Sequence, residues 1–283
     1  MWTGGRFPVI AMIALGSIVA APARTAEGQT PQVAPSSAAD SQATAEVAGI
    51  IAGLFSDTSS HMRMAPTRRA TLADSARAAA VVVAARAALS QYADVKVAER
   101  DGYQRNMPWL DDQPIYHYNS LSNFSAAARG EFDVTKPVSL LYKKDDRGQL
   151  RLIGAMYATG ESAAPKDLDA LLPISMAHWH EHVNLCNPDP TAIRYRPQKV
   201  DAGLVFWLKL YFSITSEKEC DAARGRFEPV DFGWMTHVYM FAGTDDPGVI
   251  WDTDDVGNID MHGMHGMPMR PQTPREPSAT TRR

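Results

Sequence analysis

Residues Ala177 to Asn184 read Ala-His-Trp-His-Glu-His-Val-Asn. On an extended strand, side chains alternate between faces, so His178, His180, His182 and Asn184 share one side and Trp179, Glu181 and Val183 the other. Imidazole nitrogens bind zinc, copper and iron. Successive members of the row stand about 6.6 Å apart along the backbone, a gap two imidazoles can close around one ion. His178 and His182 would be about 13 Å apart, so all three can meet only on a bulged or bent strand. The expected set is two of the three plus a ligand from elsewhere. His237, in GWMTHVY, is the foremost outside candidate, and His117, in IYHYN, is another. Asn184 or Glu181 could complete the shell or orient an imidazole. The competing reading is a solvated row of histidines, or one stacked beside Trp179 and Tyr239.

A second run, Met261-His262-Gly-Met264-His265-Gly-Met267-Pro-Met269, mixes thioethers and imidazoles on a flexible backbone. That donor set suits copper, although a low-complexity tail with incidental methionines has the same composition. Copper is therefore the first expectation for the bound ion, with zinc or iron the alternatives. No G-x-S-x-G, P-loop, dinucleotide-binding glycine motif or C-x-x-C occurs, and the acidic run around Asp245 to Asp255 lacks calcium-loop spacing.

The chain that carries these residues reads as exported. The N-terminus has Arg6, an apolar run and small residues at Ala21-Pro22-Ala23, the pattern of a secretory signal over residues 1–26. An uncleaved anchor would export the chain equally; after cleavage no membrane span is expected. In an oxidising compartment Cys186 and Cys220 read as a disulfide closing a loop of roughly 35 residues, worth about 3 to 4 kcal/mol. The alternative is Cys186 as a thiolate ligand. A net charge of −4 gives no electrostatic reason to expect nucleic acid.

Residues 27–70 read as a low-complexity linker, 71–258 as an α+β metal-binding domain and 259–283 as a disordered tail. One long helix is expected from Thr71 to about Arg105, with Leu72, Ala76, Ala79, Val83, Ala87 and Tyr92 as its apolar stripe. It should pack on a predominantly antiparallel sheet or barrel-like core. Strands are expected at IYHYN, the hairpin VSLLY/LRLIGAMYA, ISMAHWHEHVNLC, LVFWLKLYFSI and GWMTHVYMFA. Ser216 and Glu219 form a capping box opening a short helix that carries Cys220 and closes at Gly225.

With YHYN, VSLLYKKDDRGQLRLIGAMY, HWHEHVNLC and GWMTHVYMF, the chain resembles a group of uncharacterised exported bacterial proteins over roughly Tyr92 to Trp251. The resemblance implies one compact domain in which His117, the histidine row and His237 come together; it supplies no activity. Two functional classes stay open. One is a periplasmic or secreted metal-binding protein for copper tolerance, storage or delivery to another periplasmic metalloprotein. The other is a mononuclear metalloenzyme with an open coordination position.

Overall fold

The structure, a computed structural model, describes residues 38–251 except 55, 57, 109, 111, 112 and 189–199. The expected signal segment and the tail ligands Met261, His262, Met264, His265 and Met267 lie outside the described residues. The elements run α1 (Ala38–Leu54), β1 (Met62–Met64), α2 (Leu72–Leu89), α3 (Val95–Arg100), β2 (Gln104–Arg105), β3 (Tyr116–Asn119), α4 (Leu121–Ala128), β4 (Ser139–Lys144) and β5 (Leu150–Ala158). They continue through α5 (Pro165–Leu171), β6 (His180–Pro188), α6 (Ala202–Phe212), α7 (Glu217–Ala222), β7 (Gly225–Val238) and α8 (Pro247–Ile250). The seven strands form one antiparallel sheet in the order β1-β6-β7-β5-β4-β3-β2. The class is thus α+β. With β1 and β2 as free edges, the sheet is open and not a closed barrel.

Helix α2 starts where its sequence says it should. Thr71 Oγ1 accepts from the Asp74 amide at 3.2 Å, and the Asp74 carboxylate accepts from the Thr71 amide at 2.9 Å, satisfying two orphan donors of the first turn. Arg68 holds Asp74 at 2.7 Å and Asp169 at 2.8 Å, tying the helix start to α5. The single helix expected to Arg105 does not form. It stops at Leu89, passes through a 3-10 turn at Ser90–Ala93, and restarts after the extended Asp94, which caps α3 through the Lys96 amide. The break turns Tyr92 into the core, where its carbonyl accepts from the Tyr142 hydroxyl at 2.7 Å. Tertiary packing outweighs helix propensity here. The apolar stripe also differs from expectation: Ala78, Val82, Ala85 and Leu89 are buried, whereas Leu72 and Val83 are exposed. In so alanine-rich a helix the composition marks no face clearly.

Two further readings change. The segment expected as a strand at LVFWLKLYFSI is helix α6, capped by Asp201 through the Leu204 amide. Its buried Leu204, Val205, Leu208 and Tyr211 follow a helical period, which a short run apolar at nearly every position conceals. The expected linker contributes α1, which packs Val47 against α6, and β1, which pairs with β6.

Helix α2 covers one face of the sheet through Tyr116, Leu140, Tyr142, Leu152, Ala155, Trp179 and Val238. On the other, Leu141, Met156, Met235 and Tyr239 pack with Phe124 and Ala127 of α4. Met107 and Leu110, between β2 and β3, join Val200, Leu204, Val205 and Leu208 in one apolar cluster. That cluster spans from the β3 side of the sheet to α6, which follows β6. Within the sheet, Gly154 permits a close approach of β5 to the end of β7. A Cβ there would lie 2.3 Å from the Val238 carbonyl oxygen and 2.9 Å from Tyr239 Cα. Because the obstructing atoms are backbone, Gly154→Ala should cost about 3 kcal/mol, the upper end for overpacking. A urea midpoint close to wild type would show that β5 and β7 do not approach this closely.

Cys186 and Cys220 are joined as a disulfide with Cα atoms 5.5 Å apart. A disulfide sulfur is not a thiolate, so Cys186 is removed from the candidate ligands. Ser216 caps α7 as expected, but Gly225 serves differently: Arg224 takes the left-handed turn at φ 56°, and Gly225 begins β7. A Cβ on Gly225 would sit 2.5 Å from Cys186 Sγ, so its missing side chain makes room for the bridge. Among the described residues, no helix is long and apolar enough to cross a membrane.

Candidate metal centre

Three strands supply imidazoles to one region. His117 comes from β3, His180 and His182 from β6, and His237 from β7. Strands β3 and β7 are separated by β4 and β5, a distance of about 14 Å in a flat sheet. Yet His117 Nε2 and His237 Nε2 are 3.4 Å apart. Both side chains rise from one face of the sheet and lean together across β4 and β5 to close that gap. The His180 ring lies 5.3 Å from that of His237 and stacks 5.7 Å from that of His182.

The pairing of β6 with β7 is irregular here. His180 opposes Met235 and His182 opposes Asp231, so β7 carries two extra residues across this step. Phe232 and Gly233 absorb them with φ of 76° and 106°. A Cβ on Gly233 would meet the Glu161 amide at 2.5 Å and the Thr159 carbonyl at 2.8 Å, so the bulge depends on that glycine. The irregularity needed to gather the histidines lies in the strand opposite the row.

Each ring faces a distinct constraint. His180 Nδ1 donates to the His178 carbonyl at 3.1 Å. The His117 ring hydrogen-bonds the Ile115 main chain, and with Nε2 turned to His237 the geometry leaves Nδ1 for that bond. Both residues thus commit one nitrogen to a carbonyl two positions upstream and present Nε2, the outer hydrogen bond that metal-bound histidines use to fix tautomer and orientation. His180 is buried, and His117, His182 and His237 are half-buried. Desolvation by burial pushes His117 and His180 down to about 4. It drives His182 and His237 well below the ordinary imidazole range, with repulsion from neighbouring imidazoles adding to it. The rings are neutral at pH 7, the form that binds a metal.

Two imidazoles on one tetrahedral ion with bonds of about 2.0 to 2.1 Å have nitrogens about 3.3 to 3.4 Å apart. The His117–His237 separation fits that edge; without an ion, the same pair shares one hydrogen. His180 and His182 form a second, stacked pair beside it. Among the described residues, no group of three or more His, Cys, Asp or Glu side chains is disposed as a metal-ion site. Closing a three-imidazole shell therefore requires side-chain rotation within the cluster.

The other expected residues fall elsewhere. His178 lies just before β6, where its carbonyl accepts from the His180 ring and its own imidazole adds to the lowering of the His180 pKa. Glu181 is buried on the opposite face, where Arg63 donates to it at 2.7 Å and burial raises its pKa. Asn184 takes a left-handed φ of 57° and donates to the Ser60 carbonyl. His61 is buried between the Val183 and Phe212 carbonyls at 3.3 and 2.9 Å, a structural tether between β1, β6 and α6.

Methionines border the histidines at positions the sequence does not single out. Met62 and Met64 lie directly opposite His182 and His180, Met235 is also opposite His180, and Met156 is opposite His237. Directly opposed residues project to the same face with Cβ atoms about 4.5 to 5.5 Å apart. The alternation in Met62-Arg63-Met64 was the available signal; its register against His180-Glu181-His182 is a long-range fact. No protein-family model, curated protein or solved structure matches the chain.

Proposed function

We propose that the protein is exported to the periplasm or secreted and binds a transition-metal ion, copper foremost, on the face formed by His117, His180, His182 and His237. The observation that carries this reading is the 3.4 Å approach of His117 and His237 Nε2 from strands not adjacent in the sheet. Neutral imidazoles gathered in this way are ligands without a competing proton. Export is supported by the disulfide, which persists in oxidising compartments. The role is capture of the ion for tolerance, storage or delivery to another metalloprotein. The half-buried state of His117, His182 and His237 favours a second reading, in which one coordination position stays open to water or substrate, as in a mononuclear zinc, copper or iron enzyme.

Elemental analysis of the untagged full chain purified from its own compartment separates the readings. About one copper per folded domain is the expected result, retained when the tail methionines and histidines are replaced. Stoichiometric zinc or iron would transfer the assignment to the enzyme reading. Protein without a transition metal, and unable to take up copper or zinc when offered, would overturn both.

A further inference from the structure

Strand β1 places two thioethers beside the histidines, and neither is needed by the core. Met62 and Met64 are only half-buried, and neither belongs to the apolar clusters that hold the helices to the sheet. Met156 and Met235, by contrast, are buried among Leu141, Phe124 and Tyr239 and have a packing role. An edge strand ordinarily carries charged or otherwise protective side chains; here Arg63 alone does so, and it faces away. Arg63 donates to Glu181 at 2.7 Å, and its guanidinium lies over the Trp234 ring at 5.6 Å.

Arg63 therefore locks the register of β1 from the opposite face. Main-chain bonds secure both ends: Val183 donates to the His61 carbonyl and Ala65 to the Trp179 carbonyl, each at 2.8 Å. With the register held, Met62 is fixed opposite His182 and Met64 opposite His180. Each histidine of β6 has a thioether directly across the ladder, within reach of an ion bound to its ring.

We propose that Met62 and Met64 are ligands and that, with His182 and His180, they form a site selective for a soft monovalent cation, Cu(I). Thioether sulfur selects Cu(I) among the common biological metals, whereas imidazole alone does not distinguish it from Zn(II) or Cu(II). The inference rests on the metal-binding reading of the histidine face and adds to it an oxidation state and two ligands. It also gives the folded domain a copper preference of its own, independent of the Met/His tail.

The test uses the full chain with Met261, Met264, Met267 and Met269 all replaced by Leu, so that the tail cannot mask the domain. Methyl-labelled methionine is followed by NMR during titration with Ag(I), the air-stable d10 counterpart of Cu(I), and separately with Zn(II). Met62→Leu and Met64→Leu assign the two signals. They conserve volume at half-buried positions, so folding should survive, which the remaining methyl spectrum verifies. Both methyls should shift with Ag(I) and stay in place with Zn(II). The double Leu variant should lose roughly tenfold or more in anaerobic Cu(I) affinity against a competing chelator, about 1.4 kcal/mol, with Zn(II) affinity kept. Histidine ring shifts with Ag(I) but unmoved Met62 and Met64 methyls, or unchanged Cu(I) affinity in the double variant, would overturn the thioether assignment while leaving the histidine site standing. No response of either residue type to Ag(I), Zn(II) or Cu(I) would remove both.

Discussion

His180→Ala is expected to weaken Zn(II) and Cu(II) binding by at least about 100-fold, more than the loss of an outer-shell partner usually costs. The ring is central to the cluster, 5.3 Å from His237 and 5.7 Å from His182. It is also held with Nε2 free by its bond to the His178 carbonyl. Removing it deletes a donor from the middle of a cluster in which His182 also acts on His117 and His237. His178→Ala keeps the carbonyl that orients the ring and should cost far less. Competition titrations on both variants check the contrast. Equal losses in the two would mean that the His178 ring belongs to the shell, and undiminished binding in His180→Ala would remove the site. Since His180 is buried, a cavity is left; circular dichroism and the thermal midpoint separate unfolding from loss of a ligand.

Metal-free protein should unfold on mild acidification, above the range of its ordinary carboxylates; burial raises Glu181 and Asp231, whose protonation in the fold offsets only part of the effect. In the folded chain, burial holds His117 and His180 near 4, and His182 and His237 lower than the ordinary value of 6.5. The unfolded chain takes up these protons near 6.5. Below that pH the unfolded state binds more protons, so stability falls as pH falls; above it the four groups are neutral in both states and the contribution is fully present. Each neutral buried imidazole contributes a slope of about 1.4 kcal/mol per pH unit, so four approach about 5 kcal/mol per unit. Against a typical total of about 5 to 15 kcal/mol, unfolding is expected near about pH 5. Bound metal should move the transition to lower pH, because the ion binds only the folded cluster. Tryptophan fluorescence against pH, with chelator and with one equivalent of Zn(II), reads both effects. A metal-free chain still native at pH 4 would show that the four rings accept protons in place and are not desolvated in this way.

These expectations depend on features with different ranges in the sequence. The alternation of His180 and His182 on one face, the β4–β5 hairpin, the Ser216 cap and the Cys186–Cys220 bridge follow from periods, turn residues and compartment chemistry that operate over a few residues or on composition. Helix α6 was misread because an apolar run of this length has no period until its neighbours choose which side is buried. The helix after Thr71 was broken by Tyr92, whose packing against Tyr103 and Tyr142 is not encoded nearby.

By itself, then, the sequence determined which residues could bind a metal and that pairs of them share a face, because strand alternation is a local, two-residue period. The tertiary structure decided which ones meet. His117 reaches His237 across the intervening strands β4 and β5, a juxtaposition no local period foretells. His178 lies just before β6, with its carbonyl turned to the His180 ring. Met62 and Met64 enter because β1 pairs with β6 in one register, held by Arg63 and Glu181 on the far face. A shift of one residue would turn both thioethers away from the histidines, and contacts more than a hundred positions apart in the chain set that register.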